Sequence, residues 1–460
     1  MNAKGISEFR KIRIASGIRW ILLLSAALWV ATVFAPPVVA DETCMSPYMA
    51  KITGQEDFVY VWTLGVEGMG DGSDKLVTVD VRPGSSTYGK VINSISVGGR
   101  HEAHHAGLTD DRRFLWATGL DTSKIFIFDV HSDPAKPSLH MTIDDFVAKS
   151  GGVVGPHTSY ALPGRMILAG LSNDRDHGGA TALVEYSNEG KYITTHWMPT
   201  AGDARGASIE SVADGFGYDI RVLPRKNIML TSSFTGWSNY MMDFGQMLSD
   251  GEAMKRFGQT VTVWDFHARK PKKVLHVPGV PLELRFAWGP QHNYAFATTA
   301  LTSQIWLIYE DENGEWQGQA VSDIGNPASI PLPADISLSA DDKLLWVSTF
   351  MDGKARLFDV SDPFHPRQVY EKKIGAQVNM VSQSWDGKRL YFTSSLLANW
   401  DKKGADNDQY LKGSYWNGSY LVEQMAIDFN AEGLGRPHIM RFGAYALYGL
   451  EADGQATVMN

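Results

Sequence analysis

The 460-residue chain has one cysteine, Cys44, so no intramolecular disulfide can staple it even in an oxidising compartment. It has no phosphate-binding glycine loop and no Ser-His-Asp signature, which leaves nucleotide chemistry and acyl transfer without support. Positive charge is in deficit: 42 Lys and Arg stand against 51 Asp and Glu, a formal net charge of −9. Nucleic acid and anionic membrane surfaces are poor partners for such a chain. Long amphipathic helical patterns are scarce, apart from a candidate helix within the insertion Gly236 to Phe257.

What is present begins with a targeting pattern. Lys4, Arg10, Lys11, Arg13 and Arg19 precede an uncharged apolar stretch from Trp20 to Phe34, and Val38-Val39-Ala40 follow before Asp41. This order predicts a secretory signal peptide, residues 1–40, cleaved after Ala40. The competing interpretation is an uncleaved anchor, but the apolar stretch is shorter than the roughly 20 residues a span needs. No paired arginines precede it, so the general secretory route is expected. The expected location is the periplasm, with no stable membrane insertion after cleavage. Loss of the basic segment makes the remaining chain more acidic still.

Residues 41–460 exceed the usual size of one compact domain and carry an internal repeat. One half of the repeat is a turn rich in Asp, Gly, Pro or Arg that runs into an apolar strand. It begins as Thr109-Asp110-Asp111-Arg112-Arg113 into Phe114-Leu115-Trp116 and returns before Met166, Ile228, Tyr294, Leu344 and Leu390. The spacing, roughly 45 to 65 residues, suits propeller blades. The other half is an alternating strand that ends in aspartate, as in Ile125-Phe126-Ile127-Phe128-Asp129 and Arg356-Leu357-Phe358-Asp359. Period-two alternation bounded by turn residues is a strand signal. Six internal copies, with N- and C-terminal half-blades closing on each other, predict an all-β fold: a single seven-bladed β-propeller over 41–460.

The densest chemistry is His101-Glu102-Ala103-His104-His105-Ala106-Gly107. The inner strands of a propeller line one channel, so residues remote in sequence meet there, and His157 and His438 lie where closure can bring them to the cluster. Such an imidazole set suits copper or zinc. Neighbours on a regular strand point to opposite faces, so His104 and His105 can share a metal only if the chain bends. Gly98, Gly99 and Gly107 predict a loop at the channel mouth that supplies the bend. His101 is expected at the surface, and the other eight histidines in structural positions at strand exits or turns. Glu283 and Arg285 form either a buried ion pair between blades or a substrate contact, and Asp219 carries the same two readings.

These residues resemble the selenium-binding protein family, whose secreted bacterial branch includes the copper-dependent methanethiol oxidases. The resemblance runs over essentially all of 41–460. It is carried by Cys44-Met45-Ser46-Pro47-Tyr48, His104-His105, Pro156-His157-Thr158-Ser159, Gly217-Tyr218-Asp219 and Pro281-Leu282-Glu283-Leu284-Arg285-Phe286. Its most specific stretch is Ser384-Trp385-Asp386-Gly387-Lys388-Arg389-Leu390-Tyr391, followed by Trp400-Asp401-Lys402. The resemblance implies copper held by His104, His105, His157 and His438. It further implies oxidation of methanethiol by dioxygen and water to formaldehyde, hydrogen sulfide and hydrogen peroxide. Three departures from the family pattern stand out: Ile439 replaces a glutamate, Tyr160 replaces a histidine, and Thr63 falls near the cysteine linked to selenium binding in animal members. The last argues against selenium binding. The alternatives are a non-catalytic periplasmic propeller that stores or delivers copper, and a protein-interaction platform with a vestigial site.

Overall fold

Each copy of the repeat folds as a four-stranded antiparallel sheet, and the described residues contain seven such sheets and one small three-stranded one. The computed structural model describes residues 42–43, 45–175, 177–450 and 456–459; the expected signal segment 1–40 and Cys44 lie outside them. Blades 2 to 7 follow the chain. Their innermost strands are Ala103–Leu108, Val153–Leu162, Ile220–Leu223, Pro281–Phe286, Pro333–Leu338 and Val381–Gln383. Blade 1 closes the ring. Its inner strand is the C-terminal Arg436–Gly443, which pairs with Phe58–Leu64 and is followed outward by Lys75–Asp80 and Lys90–Ser96. The two expected half-blades are therefore one C-terminal strand and three N-terminal ones, and this pairing removes the free edges both segments would otherwise expose.

The repeated turn has a local cause. Thr109 Oγ1 donates to Asp111 Oδ1 (2.6 Å), and the Phe114 amide donates to Thr109 Oγ1 (3.1 Å). Ser339 with Asp341 and Ser384 with Asp386 repeat the bond at 2.6 Å. The residue before the last in each turn adopts positive φ: Arg112 at 55°, Asp342 at 60° and Gly387 at 71°. The strand-ending aspartates cap the next turn in the same manner, Asp129 accepting from the amides of His131 and Ser132 at 3.0 and 2.9 Å. Such side-chain-to-backbone bonds are why Asp, Ser and Thr recur at these offsets.

Both ends of the central channel are covered. Residues 42–43 and 45–50 cross the end where the inner strands finish. Thr43 bonds Ser337 (2.9 Å), Ser382 donates to Glu42 (3.1 Å), Ser46 donates to the Ala161 carbonyl (2.8 Å) and the Phe442 amide donates to Glu42. At the other end an apolar cluster is built from Tyr218, Phe234, Leu282, Leu396 and Trp400 together with the insertion between the second and third strands of blade 4. The candidate helix there is three short helices, Trp237–Tyr240, Phe244–Ser249 and Gly251–Met254. Asp243 and Asp250 break the run by capping new helices, accepting from Gly245 N (3.0 Å) and Glu252 N (2.8 Å).

Candidate metal centre

The four predicted histidines come together in the channel from three blades. His104 and His105 sit on the inner strand of blade 2, not in a loop at the channel mouth. The bend comes from a bulge: Ala103 pairs with Gly119 and Ala106 with Ala117, one extra residue on the inner strand, preceded by Glu102 at φ 57°. A bulge re-aims side chains while keeping the ladder, so consecutive imidazoles share one face. Gly107 serves packing: a Cβ there would lie 2.0 Å from the Ser159 carbonyl oxygen of blade 3, so its absence lets the strands bearing His105 and His157 close up. His438 enters on the closing strand.

The ring of His104 lies 3.9 Å from His438, 4.7 Å from His157 and 5.7 Å from His105, and His105 lies 4.2 Å from His157, all centroid to centroid. All four residues are 0–2% exposed. Nitrogens that burial should force into hydrogen bonds lack partners: His104 Nδ1, both nitrogens of His105, His157 Nε2 and His438 Nε2. His157 Nδ1 faces the Tyr218 carbonyl at 3.0 Å. A carbonyl only accepts, so the proton is on Nδ1 and Nε2 holds the lone pair. His105 Nε2 lies 3.3 Å from Glu283 Oε1, close enough for the charges to interact but outside hydrogen-bond geometry, so the carboxylate biases the ring proton toward Nε2 without a bond that fixes it. His438 Nδ1 faces the Asn379 amide nitrogen at 3.3 Å, while Asn379 Oδ1 has no hydrogen-bond partner. That amide is held by its bond to the Ser395 carbonyl, and the Leu396 carbonyl also faces the His438 ring as an acceptor, which favours the proton on Nδ1 and leaves the lone pair on Nε2.

In these ring orientations no three His, Cys, Asp or Glu side chains among the described residues are already posed around a common ion position. Binding therefore requires the rings to turn. The donor set nevertheless fits a borderline metal: neutral, desolvated imidazoles with unpartnered lone pairs. Burial, and then the neighbouring imidazoles, hold His104, His157 and His438 well below the ordinary histidine range. Burial also lowers His105, although Glu283 pulls the other way.

The three residues with two readings form a buried ionic network across blades 4 to 6. Arg221 pairs with Asp219 (2.5 Å) and Glu283 (3.2 Å); Arg285 pairs with Glu283 (2.8 Å), Asp335 (2.7 Å) and Asp219 (3.5 Å). Burial alone would raise Glu283, but Arg285, His105 and Arg221 outweigh it and keep it ionised. Burial pushes Asp219 and Asp335 up to about 7. The network meets the imidazoles at two points: Glu283 lies 3.3 Å from His105, where a carboxylate raises the basicity of the ring it faces, and Asp219 accepts from Thr158 Oγ1 (3.2 Å), which lies 3.2 Å from His157 Nδ1.

One expectation, a surface position for His101, is corrected. His101 is 7% exposed and bonds Thr122 Oγ1 (3.0 Å) and the Gly98 carbonyl (3.2 Å); Gly119 tucks it beneath the blade, so it is buried and structural. Tyr160 lies under the Arg221 guanidinium, 5.5 Å from its ring, and Ile439 is fully buried opposite Trp62. Asp335, Asn379 and Tyr218 are not among the predicted site residues. They would have been found by writing the inner strands one above another, because each blade places a polar residue at the same level: His438, His104-His105, His157, Asp219, Glu283, Asp335 and Asn379.

The fold and this girdle define the class first: a seven-bladed propeller whose channel buries four imidazoles beside an ion network. The profile of the 56kDa selenium binding protein (SBP56) family matches residues 38–442, and the chain belongs to that family. A protein of Ruegeria pomeroyi named methanethiol oxidase is 71% identical over 89% of this chain and 94% of its own length. A Hyphomicrobium sp protein of the same name is 56% identical over 92% of this chain and 95% of its own. The crystal structure of a hypothetical selenium-binding protein from Sulfolobus tokodaii superposes with a TM-score of 0.73 at 25% identity, covering 84% of this chain and 94% of that one.

Proposed function

We propose that the protein is a methanethiol oxidase that converts methanethiol, dioxygen and water to formaldehyde, hydrogen sulfide and hydrogen peroxide, with copper held by His104, His105, His157 and His438. We further infer that residues 1–40 direct it to the periplasm and that 41–460 act as one domain. The activity rests on the two relatives of that name at 71% and 56% identity. The observation that carries the metal is the set of four buried imidazoles with unpartnered nitrogens.

A bound copper would supply a soft acceptor for the substrate sulfur and one-electron chemistry toward dioxygen. The chain's own contribution is threefold. Burial keeps the four rings neutral, so their lone pairs need not lose a proton before binding. The Tyr218 carbonyl fixes which nitrogen of His157 carries the proton, and the Glu283 carboxylate 3.3 Å away biases that choice at His105. The apolar residues Tyr218, Phe234 and Leu282 exclude water around the rings and offer a one-carbon thiol an apolar approach. Glu283, Arg285 and Asp219 are engaged with one another and with Arg221 and Asp335, so their role is to position His105 and not to touch substrate.

Titration of the metal-free protein with cupric ion tests the site. One equivalent should bind with nitrogen hyperfine structure in its paramagnetic resonance spectrum, and His157→Ala should lose both the stoichiometry and the pattern. Equal binding in parent and variant would rule out this donor set.

A further inference from the structure

A thiol reaches the four imidazoles only by passing through protein, because each is 0–2% exposed. Toward residues 42–43 and 45–50 the way is blocked by the Arg221–Glu283–Arg285 network, and parting buried ion pairs is costly. Toward the opposite end the covering is apolar. Tyr218 packs 3.9 Å from His157, Phe234 lies 5.5 Å from Tyr218, Trp400 5.6 Å from Phe234, and Phe244 5.1 Å from Trp400. These rings lead stepwise from the metal ligands to the insertion between the second and third strands of blade 4.

That insertion joins the blade through a narrow base. It hangs on a narrow neck, where Thr235 bridges Phe257, Gly236 N donates to Arg256 O (3.1 Å) and Gly258 N to Phe234 O (2.7 Å). Its helices of four to six residues are too short to be stable alone. Its outer holds include Tyr240 to Asp121, Trp400 Nε1 to the Met242 carbonyl (3.2 Å) and Asn399 to the Met241 carbonyl (3.3 Å).

We propose that this roof is the entrance to the imidazole cluster and its size filter. The 236–257 insertion swings on its neck, and Phe234, at the base of the neck between Tyr218 and Trp400, sets how long an alkyl thiol can be. Phe234 is 5% exposed and stands one ring away from His157, where each further methylene of a substrate has to displace it. The inference rests on the thiol-oxidase assignment for the identity of the ligand, but the entrance does not.

The test uses full-length protein loaded with cobalt(II), whose absorption reports ligand binding without turnover. The parent should bind methanethiol at least about tenfold more tightly than 1-propanethiol, since surplus methylenes in a closed site cost about tenfold or more. Phe234→Ala should bring the two within about threefold, and the milder Phe234→Leu should fall between. A ratio unchanged in both variants, or absent in the parent, overturns the filter. The entrance is read separately with azide. Tyr240→Phe removes the hold on Asp121 and should speed azide association about fivefold, the equivalent of one hydrogen bond; an unchanged rate overturns it. Azide binding without thiol binding in every variant would defeat the thiol assignment and leave the entrance to be decided by the azide rates.

Discussion

Replacing Arg285 by methionine should cost far more stability than replacing Glu283 by glutamine, although the two side chains share one bond. Arg285 is 4% exposed and reaches Glu283, Asp335 and Asp219 at 2.8, 2.7 and 3.5 Å. Without it, three buried carboxylates face Arg221 alone. Breaking such a pair from one side costs about 3–5 kcal/mol. Glu283→Gln leaves two guanidiniums and two aspartates, a balanced set. Its cost should be about 1–2 kcal/mol. The pH dependence separates the two further. Asp219 and Asp335 are raised to about 7 in the folded state, above their unfolded value, so folding takes up protons and their stabilising contribution falls as pH rises from about 4 through 7. Arg285→Met makes both aspartates hold their protons more tightly. Its penalty should therefore be larger at pH 8 than at pH 5.5, by about 1.4 kcal/mol for each tenfold gain in proton affinity. Glu283→Gln removes a repelling charge and should flatten the dependence. Urea unfolding of the metal-free variants at both pH values measures this, with the slope checked for constancy. Equal costs for the two variants, or an Arg285→Met penalty no larger at pH 8, would refute the charge balance.

Burial alone would raise Glu185, but His196, Arg269 and Arg165 hold it down to about 2, so its contribution is present above about pH 4 and lost as pH falls toward 2. Glu185→Gln should lose roughly 1–2 kcal/mol at pH 7 after allowance for solvent screening, with its melting temperature converging on the parent's in acid. Gly107→Ala pushes a methyl against the Ser159 carbonyl; it should cost about 2–3 kcal/mol and lower copper per chain by separating the strands of His105 and His157, seen by calorimetry and metal analysis. His101→Gln should leave copper per chain unchanged, and a loss would return His101 to the site.

The propeller was legible because its turns announce themselves. Three of the six Asp-, Gly-, Pro- or Arg-rich turns that read as repeats are closed by side-chain hydrogen bonds at Thr109, Ser339 and Ser384. The four histidines were legible as residue types, whereas their meeting was not, since it depends on a bulge of one residue between Ala103 and Ala106. A loop was the natural expectation from the flanking glycines, but Gly107 turned out to relieve contact between strands. The network around Arg285 was half legible: Asp219, Glu283 and Arg285 drew attention, but Asp335 lies some 50 residues on, and only the closed ring places it 2.7 Å from Arg285. The insertion's broken helices were hidden because Asp243 and Asp250 read equally well as polar face and as caps.

Oxygen uptake by the purified, copper-loaded protein with methanethiol, beside His438→Ala, tests the central claim most directly. Turnover in the parent with formaldehyde and hydrogen sulfide formed in equal amounts, and none in the variant, is the predicted result. Copper retained by the parent without any oxygen uptake would contradict it and point instead to a propeller that stores or delivers the metal.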